Sequence, residues 1–202
     1  MKLFYSQGAC SLVSRILLNE MGIPADYESV NLQTKQTETG QDFLNINPKG
    51  AVPTLCLENH DILTENTVIM QYLADHYQAT NLLPPVGDFQ RYRVLEWVNY
   101  ITTELHKGFA PLFNPLVPQD LKEQVFTPIL MRKLQYVDQA LQDKTYLMGK
   151  HFTLPDAYLF VILRWAIAKL DMASCVHLMT YQSNLKLRKS IADAVQQEGL
   201  KA

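Results

Sequence analysis

The sequence is short of the features that mark a nucleic-acid binder, a membrane protein or a disulfide-stapled domain. Its 18 basic and 20 acidic residues nearly cancel, to a formal net charge of -2, and the basic ones are scattered rather than clustered. That balance excludes nucleic acid as an expected partner. Only three cysteines occur, Cys10, Cys56 and Cys175. An odd number without metal-ligand spacing argues against both a disulfide framework and a metal site, and fits a reducing cytoplasm. Long hydrophobic runs are missing as well: the longest, Ala157 to Leu163, ends at Arg164, far short of the ~20 residues that span a bilayer. Near the start, Gln7, Gly8, Ser11, Ser14 and Arg15 interrupt any stretch that could form a signal-peptide core. No membrane contact and no classical export are expected.

The residues present suffice for two packed cores. Of 202 residues, 48% are apolar and 10% aromatic, too many for a disordered chain. A change of pattern near residue 80 divides the sequence. Lys2 to Tyr5 reads as a strand, after which Leu12, Ile16, Leu17 and Met21 take helical spacing until Gly22-Ile23-Pro24 stops them. Tyr27, Val30 and Leu32 make a second strand, and the polar stretch Gln33 to Gly40 reads as a loop.

A short helical piece around Phe43 comes next, then a hairpin. Pro53 to Leu57 and Ile62-Leu63 flank the turn residues Asn59-His60-Asp61. Val68, Ile69, Tyr72, Leu73 and His76 return to helical spacing. The order β-α-β-α-β-β-α over residues 1–77 is that of thioredoxin. Residues 78–88, with Pro84-Pro85 and Gly87, form a linker.

From residue 89 to 202 only helical periods occur, over 89–109, 119–142, 153–170 and 184–197, with a short apolar segment near 176–181. The fold class expected is therefore α/β plus all-α, a thioredoxin-like domain followed by a helical bundle. Thr153 and Asp156 frame a helix start as a capping box, which gives Asp156 a structural duty.

Cys10 falls between the first strand and the first helix. Free backbone amides and the helix dipole there favour a thiolate, and Ser11 adds a hydroxyl donor. A cysteine in this place serves either as a small buried hydrophobe or as a nucleophile. A thioredoxin-type site would carry a second cysteine at position 13, but the chain reads Cys10-Ser11-Leu12-Val13. With no local resolving thiol, sulfur chemistry at Cys10 needs an external one, and glutathione is the abundant candidate. Cys56 and Cys175 read as structural. On the first long helix Asn99, Thr103 and His106 have i, i+4, i+7 spacing and so share a face, with Lys107 beside it.

Four segments together resemble the bacterial beta-class glutathione S-transferases. They are Ser6 to Leu12, Asn47 to Pro53, Thr64-Glu65-Asn66 and Glu104-Leu105-His106-Lys107. Trp97-Val98-Asn99 and Phe152 to Tyr158 extend the resemblance over nearly the whole chain. It implies that residues 1–77 bind glutathione as co-substrate and that 89–202 supply the pocket of the second substrate. It implies that Val52, before a cis Pro53, pairs its backbone with the cysteinyl moiety, and that Glu65 faces the ligand's amine. Lys35 is implied to reach the glycyl carboxylate, and Cys10, Ser11, His106 and Lys107 to surround the sulfur. Asn99, Thr103 and Glu104 frame the site. Asn66 stands where many relatives carry serine, which keeps the backbone contact and changes the side-chain one.

The expected function is conjugation of glutathione to small apolar electrophiles, a detoxification chemistry, in a cytoplasmic homodimer. The alternatives are a glutathione-dependent thiol-disulfide oxidoreductase or peroxidase working through a Cys10 mixed disulfide, and a non-catalytic carrier of apolar ligands. Phe109, Leu112, Phe113, Ile162 and Trp165 are candidate pocket linings or core, and Phe89, Tyr92 and Trp97 candidate dimer contacts or core.

Overall fold

The computed structural model describes residues 1–201. By contact the chain divides into two compact units, Met1–Leu83 together with the C-terminal residues from Lys186, and Pro84–Leu185.

The first unit is built on a five-stranded sheet of order β3-β2-β1-β4-β5. β1 (Lys2–Tyr5) lies at its centre, followed by α1 (Leu12–Met21), β2 (Asp26–Asn31) and the two-residue β3 (Gln36–Thr37). A tight turn over Phe43–Asn45 precedes β4 (Thr54–Cys56), β5 (Ile62–Thr64) and α2 (Asn66–His76). β1 pairs in parallel with β2 and antiparallel with β4. The two-residue period of β1 sends Leu3 to one face and Phe4 to the other. Leu3 packs with Leu18, Leu55, Ile69 and Leu73 under the helices, whereas Phe4 packs with Val30, Phe43 and Val52. α1 ends where expected: Gly22 takes a left-handed φ of 68° and its N–H closes on Asn19, a conformation open to glycine at no steric cost.

One stretch read as loop is partly strand. Within 33–40, Gln36 and Thr37 pair antiparallel with Asn31 and Val30. Two residues are too few to show alternation, so the pairing partner rather than the local pattern decides.

In the second unit α3 (Phe89–Tyr100) is capped by Asp88, whose carboxylate accepts the Gln90 amide. It runs on through a wide turn with i→i+5 bonding, Ile101–His106, and a tight one, Lys107–Phe109, into α4 (Ala110–Phe113). Next come α5 (Gln119–Leu121), a second wide turn at Lys122–Phe126, α6 (Thr127–Ala140), α7 (Leu154–Lys169) and α8 (Val176–Lys186). The capping box at the start of α7 is present. Fully buried Asp156 accepts from the Thr153 amide and hydroxyl at 2.7 and 2.8 Å, the Leu147 amide at 2.9 Å and the Tyr181 hydroxyl at 2.6 Å. Four donors to one carboxylate offset part of the cost of burying it, and burial still holds its pKa above the ordinary carboxylate value.

The single helix expected over 184–197 is two. α8 begins in the apolar segment at 176, the chain extends at Arg188, and α9 (Lys189–Gln197) starts afresh. Arg188 is held there by both guanidinium contacts to Glu20, which also accepts from Ser190 Oγ at 2.5 Å. α9 packs along α1. This last helix therefore belongs by contact to the first unit, although periodicity alone groups it with 89–202.

Beyond α9, Glu198 turns inward. One carboxylate oxygen accepts the Gly8 amide at 2.8 Å, the other accepts Arg15 Nε at 3.3 Å, and the Glu198 carbonyl accepts Gln7 Nε2 at 2.6 Å. The Arg15 guanidinium also lies over the rings of Tyr27 (3.6 Å) and Tyr5 (4.4 Å). Both charges are buried. Glu198→Ala strands Arg15 without its carboxylate, and is expected to cost about 3–5 kcal/mol of stability, read as a lowered unfolding temperature. Glu198→Gln, which still accepts the Gly8 amide, should lose less.

Candidate active site

Cys10 sits in the turn that joins β1 to α1. The Ser6 backbone and the Ser11 hydroxyl fix this turn to each other, with Ser11 Oγ accepting from the Ser6 amide at 3.2 Å and donating to the Ser6 carbonyl at 3.3 Å. The hydroxyl proton of fully buried Ser11 is thus committed inside the loop. The first amides of α1 are occupied too: Leu12 N–H donates to Ala9 and Val13 N–H to Cys10. Two of the amides expected from the sequence to be free beside the sulfur are thus taken up by tight turns. The half-buried Cys10 thiol instead donates to the Val52 carbonyl at 3.2 Å.

The segment that carries Val52 is set by Asn47, which is buried. Its Nδ2 donates to the Ala51 carbonyl at 2.8 Å and to Thr54 Oγ1 at 2.9 Å, and its Oδ1 accepts the Lys49 amide at 3.1 Å. The Val52–Pro53 peptide is cis. Lys35, itself at a left-handed φ of 58°, reaches the Gly50 carbonyl with Nζ at 2.8 Å. Glu65 also takes a left-handed φ, 72°, directly before α2, and is paired with Lys49 Nζ at 2.7 Å. At the opening of α2 the Val68 amide donates to the Glu65 carbonyl at 3.0 Å, while the amides of Asn66 and Thr67 have no acceptor within the helix, which makes its start receptive to an anion. Asn66 turns away from that end: its Nδ2 donates to the Cys10 carbonyl at 3.2 Å, and its Oδ1 is buried without a partner. Cys10, Val52 and Asn66 are so drawn together, 42 and 56 residues apart in sequence.

The other candidates belong to the second unit. Asn99 and Thr103 are exposed on α3 and the wide turn, and Thr103 Oγ1 donates to the Asn99 carbonyl. Glu104 is ion-paired with Lys133 at 2.8 Å. His106 departs from the simple helical register because the wide turn over 101–106 shifts the phase of the helix at that point. Its Nδ1 lies 2.6 Å from the Tyr158 hydroxyl, and its ring packs edge-on against Trp165 at 5.0 Å. Phe109 and Phe113 complete this aromatic group, with ring centroids 5.8 and 5.3 Å from that of Trp165. Phe109 and Ile162 are fully buried, hence core, while Phe113 remains 47% exposed. Lys107 is exposed.

Burial, with the adjacent Lys107 charge adding to it, pushes the His106 pKa down to about 4. The ring is neutral at physiological pH, and with Nδ1 engaged by Tyr158 it presents Nε2 alone. Tyr158 and Glu198 are not legible in the sequence as functional partners; each meets its residue across tens of positions or more, and no local pattern announces such a contact. Among the described residues no group of three or more His, Cys, Asp or Glu could hold a metal ion, and no helix is long and apolar enough to cross a membrane.

Residues 8–76 match the family described as glutathione S-transferase, N-terminal domain, and residues 100–173 the corresponding C-terminal domain. The chain is 48% identical, over 202 residues and the full length of both proteins, to glutathione S-transferase GstA of Escherichia coli O157:H7. Among solved structures, a bacterial beta class glutathione S-transferase from Sphingomonas chungbukensis superposes with TM-score 0.94 at 39% identity, covering both chains completely. A sphingomonad glutathione S-transferase complexed with glutathione gives 0.93 at 38% identity, again over both full lengths.

The depressed His106 pKa has a thermodynamic consequence. Below its unfolded value of ~6.5 the unfolded chain takes up a proton that the folded chain refuses until about 4, so stability is lost as pH falls through that window. At pH 5 this amounts to about 2 kcal/mol. Thermal unfolding of wild type and His106→Asn between pH 7 and 5 should show the smaller drop in the variant; parallel drops would contradict the assignment.

Proposed function

The chain belongs to the glutathione S-transferase family, and from that membership we propose that it conjugates glutathione to small apolar electrophiles through a bound glutathione thiolate. The observation that carries this reading is the seating of Cys10 against the Val52 backbone. An extended peptide adding to the Val52 edge makes backbone hydrogen bonds there, and its cysteine side chain is directed toward position 10. Glutathione's charges have matching groups in the same unit: Glu65 for the amine, the start of α2 for the adjacent carboxylate, and Lys35 for the glycyl carboxylate.

In the reaction the thiol loses its proton to solvent water, the sulfur attacks the electrophilic carbon, the S–C bond forms, and the leaving group departs with the electron pair of its broken bond. Cys10 donates to the sulfur anion, Ser11 acts by holding the loop, and neutral His106 with Lys107 supplies further stabilisation from the helical unit. Asn99, Thr103 and Glu104 frame the approach.

Activation of the thiol is a modest part of the rate. Lowering its pKa from ~8.5 to ~6.5 raises the thiolate fraction at pH 7 from about 3% to about 75%. Nucleophilicity falls about eightfold over the same change, which leaves a gain of only about threefold. Holding two reactants together supplies more, several kcal/mol when the second pocket fits. The half-exposed Phe113 with Trp165 offers an apolar surface for that partner. The enzyme works as a homodimer in the reducing cytoplasm, and its role is detoxification.

A second reading rests on the same thiol, which is half-buried rather than sealed: a Cys10–glutathione mixed disulfide that serves disulfide or peroxide reduction. Assays of wild type and Cys10→Ser separate the two. The serine hydroxyl still donates to the anion, so conjugation of an activated aryl halide should persist within about tenfold, while exchange with a disulfide falls to background. No conjugation by the wild type would refute the transferase reading, and equal loss of both activities in the variant would refute the division of roles.

A further inference from the structure

The carboxylate assigned above to the ligand's amine already holds an ammonium group. Lys49 Nζ lies 2.7 Å from Glu65 Oε1 and 2.9 Å from Thr64 Oγ1. Both side chains are more than half exposed, 56% for Lys49 and 62% for Glu65, so the contact is open to solvent and to a ligand. The backbone beneath Lys49 is fixed all the same. Its amide donates to Asn47 Oδ1, and the Asn47 side chain is locked to Ala51 and Thr54. The lysine stem therefore springs from a rigid turn three residues before Val52, and its tip rests at the entrance to α2.

We propose that Lys49 is a built-in competitor for the amine end of glutathione, an internal ammonium that occupies Glu65 until the tripeptide's own ammonium displaces it. This rests on the glutathione reading of the site. The exchange swaps one ammonium for another, so the charge at Glu65 does not change and no bond is made or broken. It is feasible because an exposed lysine–carboxylate pair is weak and its long side chain rotates freely. Loss of the Thr64 and Glu65 contacts is a cost that glutathione has to offset, and Lys49 thereby lowers affinity. A ligand that carries a carboxylate next to its amine suffers least, because the released lysine stays positive beside it. The pair thus favours an α-amino acid end over a simple amine.

The test is a double-mutant cycle on the full-length protein, reading KM for glutathione and kcat in wild type, Lys49→Gln, Glu65→Gln and the double variant. Lys49→Gln is expected to lower KM about two- to fivefold, the span set by an exposed pair, with kcat unchanged within about twofold. The difference should shrink at high ionic strength. In the Glu65→Gln background the same substitution should no longer lower KM, since the carboxylate it competed for is gone. An unchanged or raised KM in Lys49→Gln, or an equal fall in both backgrounds, overturns the proposal. A Glu65→Gln variant with wild-type KM removes the amine from Glu65 altogether, and so marks failure of the underlying assignment rather than of the competition. Both residues are surface-exposed, and circular dichroism of each variant confirms that the fold is kept.

Discussion

The turn from Ser6 to Ser11 carries the Cys10 sulfur, which the proposed function needs held still, and the first unit ties it down from several directions. Glu198 clamps its Gly8 amide from the far end of the chain, Asn66 holds the Cys10 carbonyl from the start of α2, and Val52 accepts the thiol itself. None of these contacts is local. A loop of small residues has little packing of its own, and each tie limits one direction in which it could drift. The buried Arg15–Glu198 pair is the most exacting of them, because two desolvated charges tolerate almost no displacement. It ties the end of α9 to α1, as the Arg188–Glu20 contact ties its start.

The polar groups around this turn are mostly engaged with one another. Cys10 donates to Val52, Lys35 to Gly50, and Lys49 to Glu65. A tripeptide that docks here exchanges existing hydrogen bonds for new ones instead of filling empty valences, and each exchange is worth only about 0.5–1.5 kcal/mol. On the proposed function, specificity comes from matching several charges at once, two carboxylates and an amine, more than from any single strong contact. In the helical unit the balance differs: His106 packs against the rings of Tyr158 and Trp165, and Trp165 in turn against Phe109, so this group is made of rings rather than charges.

Much of this fold is legible in the sequence, and the rest is not for identifiable reasons. Local signals do well: the two-residue period of β1, the Gly22 stop, and the Thr153–Asp156 box each act within a few residues. The motifs around Cys10, Val52 and Glu65 point to one family, and the family's fold is the one found. Contacts that depend on a distant partner are invisible. β3 exists because β2 is beside it, the break at Leu187–Arg188 because Glu20 holds Arg188, and the neutral state of His106 because Tyr158 and Trp165 close around it. The wide turn over 101–106 likewise breaks an i, i+7 argument that assumes a regular helix. Side chains named by resemblance also change meaning in detail. Ser11 spends its proton on Ser6, and the Asn66 amide donates to the Cys10 carbonyl.

The central claim is that glutathione docks on the first unit with its thiol directed at Cys10. Isothermal titration of the intact protein with reduced glutathione tests it most directly. The account predicts a saturable heat corresponding to one tripeptide per chain, and a flat titration up to millimolar ligand would contradict it.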